Sequence, residues 1–341
     1  MLFSIVTPAY NAAPYIGALI KSIAAQSFDA WEMIIVDDAS SDDTLEVASA
    51  AIAESGLADR FSLLVSESNS GSDFAPRARA MREARGEYLV NIDADDLVEP
   101  DYLSHLADRI AATGADIVYA SMSRFSEPGD YTPFLPTKPF VRSGKARKVM
   151  PGRMMISYTL DGWEVTGVGA TRRTLALRSL DNFRRLMGNA PGRDGFDNEN
   201  LTRLDLYMAS SATFALAAHY RYRHVASSIT GGASPRFFAI LDADRRLASF
   251  ILDRYGYDSG EYGLAERQLF HHYIESLRMA GYHPDLLAMQ PVREQLREAR
   301  RALDLKRVRP LVSGKLFALI PLSFRIAAFI LRNYDRFSGK R

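Results

Sequence analysis

Three carboxylates within four residues, Asp93, Asp95 and Asp96, close an apolar run from Tyr88 to Ile92. Like charges this close raise one another's pKa and repel unless a cation sits among them. A divalent ion shared with a phosphate-bearing ligand meets that need, because hard cations take oxygen donors. The competing reading is a turn in which one Asp caps a helix and the others face solvent. A second acidic pair, Asp37 and Asp38, closes another apolar run, Trp31 to Val36. Farther on, Asp197 and Glu199 stand where a loop enters a helix that continues through Leu204. Carboxylates in a first helical turn are favoured by the helix dipole, so capping is the alternative there.

Other chemistries are poorly served. The chain has 341 residues and no cysteine, which removes disulfides, thiolate nucleophiles and Cys-ligated metals. No G-x-G-x-x-G follows the first strand, and no G-x-x-x-x-G-K-[ST] occurs, so dinucleotide and P-loop sites are not indicated. His219, His224, His271 and His272 lack a metal spacing such as H-E-x-x-H and read as surface or structural groups. A net charge of +1 gives no argument for nucleic acid. No uncharged apolar run reaches the length of a membrane span, and the chain starts in a strand-like segment without a basic leader, so the expected location is cytoplasmic.

The acidic groups need elements to hold them. Apolar, β-branched runs at 2–7, 31–36, 61–65, 88–92 and 115–120 alternate with helical spacing, such as Ile16, Leu19, Ile20 and Ile23. That order predicts an α/β fold with a mostly parallel sheet covered by helices on both faces. Ligands of such sheets sit at the carboxyl ends of the strands, so both acidic clusters should share one edge. Residues 121–160, rich in Pro and Gly, read as a lid or binding loop, with a disordered insertion as the alternative. Extended segments follow at 214–218 and 220–225, and a helical pattern runs from 235 to about 308. The expected organisation is a catalytic domain at 1–230, a helical region at 231–310 and an amphipathic tail at 311–341. The tail, apolar from Leu316 to Leu331 and interrupted by Arg325, suits either a membrane interface or packing on the helical region.

The order of short motifs carries a resemblance. Val6-Thr7-Pro8-Ala9-Tyr10-Asn11, Gln26-Ser27-Phe28, Ile34 to Thr44, Asn69-Ser70-Gly71, Pro76-Arg77-Ala78, Ala84 to Tyr88 and Asp93 to Asp96 resemble the family 2 glycosyltransferases. Agreement is dense over the first third of the chain and sparser to about residue 230. The resemblance implies a GT-A fold and inverting transfer from a nucleoside-diphosphate sugar, a UDP-sugar ahead of others, with Mn²⁺ or Mg²⁺ as cofactor. It implies that Pro8, Ala9 and Tyr10 line the nucleobase, that Asp38 bonds base or ribose, and that Arg77 approaches the nucleotide. Asp93 and Asp95 match the D-x-D element. Asp95 is the implied metal ligand, Asp93 a ribose or supporting partner, and Asp96 a structural carboxylate. Asp197 matches the catalytic Asp, because Arg203 and Leu204 follow at the family spacing.

Further candidates are Asp37, Glu199, Arg221 and His224, the last two in a segment that resembles the family's mobile element near the diphosphate. Three departures stand out: Phe196 replaces the Glu that precedes the catalytic Asp, Ala78 replaces an Asn, and the segment between Gly71 and Arg77 is slightly longer. The expected acceptor is a lipid-linked or polysaccharide glycan, with peripheral membrane contact through the tail. Two other readings stay open at this point, a nucleotidyltransferase and a non-catalytic nucleotide-sugar-binding module.

Overall fold

The computed structural model describes residues 1–126, 130–134, 148–160, 167–188, 196–224 and 234–338. Among them nine strands form one sheet: β1 (Phe3–Ala9), β2 (Trp31–Asp37), β3 (Phe61–Val65), β4 (Tyr88–Asn91), β5 (Leu97–Val98), β6 (Ile117–Phe125), β7 (Thr132–Phe134), β8 (Gly169–Arg172) and β9 (Ala212–Arg223). The order is β3-β2-β1-β4-β8-β6-β9-β5, with β7 on β6. The first four strands are parallel, as their apolar character predicts, and β1 and β2 are buried along their whole length.

Beyond β4 the sheet is mixed. β8 enters antiparallel between β4 and β6, which separates the parallel strands β1 to β4 from β6 and β9. Gly169 makes that insertion possible. Its φ is +138°, and a Cβ there would stand 2.1 Å from the Val118 carbonyl oxygen. The stretch expected to be loop from 121 onward begins as the end of β6, and Gly152–Ile156 is a short helix. The rest of the expected lid, 127–129 and 135–147, lies outside the described residues, as do 189–195 and 225–233.

Seven longer helices matter for the site: α1 (Ala13–Ala24), α2 (Thr44–Ser55), α3 (Phe74–Glu83), α4 (Tyr102–Thr113), then α5 (Arg173–Met187), α6 (Asp197–Met208) and α7 (Ile240–Tyr255). The helical pattern continues in α8 (Gly260–Tyr282), α9 (Gln290–Ala302) and α10 (Phe324–Ser338). One apolar cluster joins the sheet residues Val6, Leu89 and Tyr119 to Leu247, Phe250 and Ile251 of α7, so the core crosses the expected boundary near 230. A separate cluster holds the helices after 235 together, and Phe196 belongs to it beside Phe238 and Leu269. The residue that departs from the family's Glu is therefore a packing anchor, which explains its apolar type.

The tail packs on the helical region along one face. Ala327, Ala328 and Leu331 are buried, and α10 lies so close to α8 that a Cβ on Gly281 would reach the Ala328 carbonyl oxygen at 2.4 Å. Its opposite face leaves Ile326, Phe329 and Ile330 exposed, Phe329 at 63%. No helix among the described residues is long and apolar enough to cross a membrane.

Candidate active site

The carboxyl ends of β1 and β2 are tied to each other. Asn11 and Ala39 both take positive φ, 48° and 56°, which turns the chain sharply at each strand end. Ser40 Oγ accepts from the Asn11 amide at 2.9 Å, Asn11 Oδ1 accepts from the Ser41 amide at 2.9 Å, and Thr44 Oγ1 accepts from the Ala12 amide at 2.8 Å. The left-handed Ala39 is held by these cross-links rather than by its own preference. Asp37 is spent here: its carboxylate accepts from Ser40 Oγ at 2.5 Å and from the Ser40 amide at 3.0 Å. It is fully buried, and these bonds shape the turn.

Locked this way, the two loops open a cavity of about 410 Å³ lined by Pro8, Ala9, Tyr10, Asp38, Asp93 and Asp95. Tyr10 stands at its rim, 51% exposed. Asp38 is buried, with Oδ2 accepting from the Ser70 amide and hydroxyl, both at 2.8 Å. Arg236 also borders this cavity and supplies a cation that no local motif announced.

The acidic turn after β4 divides into three roles. Asp96 is buried. Its Oδ2 accepts from the Tyr220 hydroxyl at 2.5 Å and its Oδ1 from the Arg223 amide at 2.7 Å. Burial, then the charges of Asp95 and Asp93, raise its pKa well above the usual carboxylate range. Asp93 faces Arg77, whose Nη2 donates at 2.5 Å and also reaches Asp73 at 3.1 Å. Burial works against the charge on Arg77, but the two carboxylates outweigh it and keep the guanidinium charged.

Asp95 is left facing the cavity. Burial and the charge of Asp93 push its carboxyl up to about 6. A cation beside it would relieve that penalty, so the group fits a divalent metal. Among the described residues no cluster of three or more acidic or His side chains could enclose an ion.

Asp73 and Asp93 also border a second cavity of about 580 Å³, on the far side of the acidic turn from Tyr10. Its wall includes Glu199 and Asp205 of α6, His224 at the end of β9 and His272 of α8. Helix α6 is fastened from behind by the C-terminal helices. Asn200 Nδ2 donates to the Ala243 carbonyl at 3.0 Å, and Arg203 Nη2 donates to the Thr159 carbonyl at 2.9 Å. Burial lifts Glu199 to about 7 against the pull of Arg203, with further pushes from Asp73 and Asp93. His272, expected to be surface or structural, borders the cavity with its Nδ1 2.5 Å from Asp244 Oδ2.

Three of the expected site residues have partners that no local motif announces. Asp197 borders neither cavity; it is 1% exposed, and its Oδ1 pairs with Arg246 Nη1 at 2.8 Å. Two positions along the helix, the side chain of Glu199 does face the cavity. Arg77 lines the second cavity and pairs with Asp93, and the first cavity does not include it. Arg221 turns away to Glu99 Oε1 at 2.6 Å, with Tyr131 stacked at 4.1 Å. Its neighbour Arg223 is the residue that acts on the turn, donating to the Asp95 carbonyl at 2.7 Å. The 227–230 part of the expected mobile segment lies outside the described residues.

Known proteins resemble this chain in sequence and in fold. A family model described as Glycosyl transferase family 2 covers residues 4–159. Poly(ribitol-phosphate) beta-N-acetylglucosaminyltransferase TarS of Staphylococcus aureus is 33% identical over 126 residues, 36% of this chain and 21% of TarS. Cholesterol galactosyltransferase of Borreliella burgdorferi is 34% identical over 117 residues, 34% of this chain and 31% of that protein. The chain thus spans under a third of the length of these relatives in alignment. The crystal structure of S. aureus TarS 1–349 in complex with UDP-GlcNAc superposes with a TM-score of 0.67 at 21% identity, over 99% of this chain and 92% of that one. The shared architecture is the GT-A fold.

Proposed function

We propose that this chain, whose residues 4–159 match the Glycosyl transferase family 2 model, moves a sugar from a nucleoside-diphosphate sugar to an acceptor hydroxyl, with inversion at the anomeric carbon. The observation that carries this reading is the pair of cavities meeting at Asp73 and Asp93, one bordered by Tyr10, Asp38 and Asp95, the other by Glu199. Inverting transfer needs the leaving group on one side of the reacting carbon and a proton acceptor on the other. The first cavity suits the nucleotide: Tyr10 offers a ring face to a base and Asp38 a fixed carboxylate to base or ribose. Arg236 meets diphosphate charge. Asp95 would hold the divalent metal, which when bound neutralises the charge that grows on the departing diphosphate.

Asp93, fixed by Arg77, orients the donor between the two cavities. Glu199 faces the acceptor side, and a carboxylate with its pKa near 7 is well matched to accept a hydroxyl proton at neutral pH. The donor expected is a UDP-sugar, in line with the UDP-GlcNAc held by TarS. The acceptor is expected to be a lipid-linked or polysaccharide glycan. The names of the relatives, one a poly(ribitol-phosphate) and one a cholesterol transferase, show that likeness over 117–126 residues does not carry the acceptor with it.

A thermal-shift panel of nucleotide-sugars with Mn²⁺ tests the donor reading. A UDP-sugar should raise the unfolding midpoint, and Asp38→Ala should weaken that ligand about tenfold or more, since it removes a buried acceptor. A panel in which no nucleotide-sugar shifts the midpoint would sink it.

The exposed strip of Ile326, Phe329 and Ile330, with Arg325 and Lys315 nearby and exposed, supports peripheral contact with an anionic membrane surface. Deleting residues 311–341 would also remove Leu319, Ile320 and Leu331 from the core of the helical region. Point variants are the cleaner test. Ile326→Ser with Phe329→Ser should cut sedimentation with phosphatidylserine vesicles about tenfold without lowering the unfolding midpoint. Unchanged sedimentation would dismiss the membrane role.

A further inference from the structure

Asp73 lies in the segment between Gly71 and Arg77, which departs from the family pattern by its slightly greater length. It occupies the N-cap position of α3, where a carboxylate ordinarily accepts from the first amides of its own helix. Its side chain makes no such bond, and the Phe74 amide donates to Ser72 Oγ at 3.3 Å instead. The carboxylate reaches outward. Its Oδ2 accepts from Arg77 Nη2 at 3.1 Å and from Asn198 Nδ2. The same Arg77 nitrogen donates to Asp93 Oδ1 at 2.5 Å. Asp73 and Asp93 are also the residues that the linings of the two cavities share.

The bonds form a chain from Asp93 through Arg77 and Asp73 to Asn198. It starts in the turn after β4 and ends in the first turn of α6, one residue before Glu199. A guanidinium shared by two carboxylates makes charge-assisted bonds that fix both. An Asn facing a carboxylate must present its NH₂ group, because its carbonyl oxygen would be repelled. Asn198 Oδ1 is buried without a hydrogen-bond partner among the described residues, so the bond to Asp73 is what orients this side chain. Asn200 and Arg203 hold α6 from behind, and Asp73 holds it from the donor side.

We propose that Asp73 is a positioning residue that interlocks the two sides of the site: through Asn198 it sets the first turn of α6, and with it Glu199, against the Arg77-held Asp93. It rests on the transferase reading, since a positioning residue needs a reaction. The interlock matters because a misplacement of about 1 Å in a reacting group can cost about a hundredfold in rate. Asp73 also acts on Glu199 through its charge. Burial is the main cause of the Glu199 titration near 7; Arg203 on its own helix opposes it, and Asp73 on α3 and Asp93 after β4 add to it. Asp205, His224 and His272 border the same cavity.

The test is steady-state release of UDP from UDP-GlcNAc by the full chain with Mn²⁺ and ribitol or methyl β-D-glucopyranoside. Asp73→Ala and Asn198→Ala should each lower kcat about tenfold to a hundredfold, with KM for UDP-GlcNAc within about twofold of wild type. The two substitutions combined should lose no more than either alone, because both break the same link. Asp73→Asn keeps an oxygen for Asn198 and Arg77 but not the charge. It should recover kcat to within about threefold and move the acid limb of the pH–rate profile to lower pH, since one charge opposing ionised Glu199 is gone. A merely structural role would lower the unfolding midpoint and leave that limb in place. The Asp73 side chain is 40% exposed, so its truncation opens no core cavity; if Asp73→Ala still fails to fold, Asn198→Ala and Asp73→Asn answer the same question. Full kcat in folded single variants, additive losses in the double variant, or a raised KM at unchanged kcat would overturn the interlock. Wild type that binds UDP-GlcNAc and releases UDP with neither acceptor would instead remove the transferase reading, and with it the reaction that Asp73 positions.

Discussion

Glu199→Gln is expected to lower the rate of sugar transfer by about 10²–10⁴-fold, the usual contribution of a positioned proton acceptor, and to leave UDP affinity unchanged. The wild-type rate should rise with pH through about 7, because only the deprotonated carboxylate accepts a proton and burial has moved its titration to that range. In the variant that acidic limb should vanish. Initial rates from pH 5.5 to 8.5, with a UDP titration at each end, check both statements. Asp197→Asn should behave differently. It weakens a buried pair with Arg246, which keeps Asp242 as a second carboxylate, so a loss of roughly 1–3 kcal/mol in stability is expected. Its signature is a lower unfolding midpoint.

Asp95→Ala is expected to abolish the part of donor binding that depends on Mn²⁺ and to reduce transfer by about 10³-fold or more, the scale on which a Lewis acid stabilises a departing diphosphate. The reason is local. Asp96 is turned onto Tyr220 and Arg223, and Asp93 is held by Arg77, so neither neighbour can take over. Calorimetric titration of UDP with and without Mn²⁺ measures the loss. A variant that still gains affinity from Mn²⁺ would show that the metal is bound elsewhere.

That Tyr10, Asp38 and Asp95 share one edge was legible in the sequence because the parts are local. The strand ends at Ala9, Asp37 and Asn91 follow from apolar runs closed by turn residues, and parallel order then brings Tyr10, Asp38 and Asp95 to one edge. Division of labour within the acidic turn was only partly legible, since Arg77, Tyr220 and Arg223 decide it from 16 to 128 residues away. The acceptor side was harder. Motif spacing points to Asp197, yet which carboxylate of α6 faces the cavity depends on how the helix is rotated. That rotation is set by Arg246, Ala243 and Gln268 on helices with no local link to it. Phe196 held a clue: an apolar residue where the family places Glu signals that this end of α6 is packed against something, here the helical region. The antiparallel entry of β8 was illegible for a similar reason. Four residues with one glycine give too little periodicity to set a direction.

The central claim is that Glu199 completes a transferase site opposite the nucleotide cavity. The most direct measurement is acceptor-dependent release of UDP from UDP-GlcNAc at pH 8, with ribitol or a methyl glucoside as acceptor, for wild type, Glu199→Gln and Asp197→Asn side by side. The account expects release by wild type and by the folded fraction of Asp197→Asn, and none above hydrolysis by Glu199→Gln. Full release by Glu199→Gln together with silence from a folded Asp197→Asn would contradict it and return the proton to Asp197.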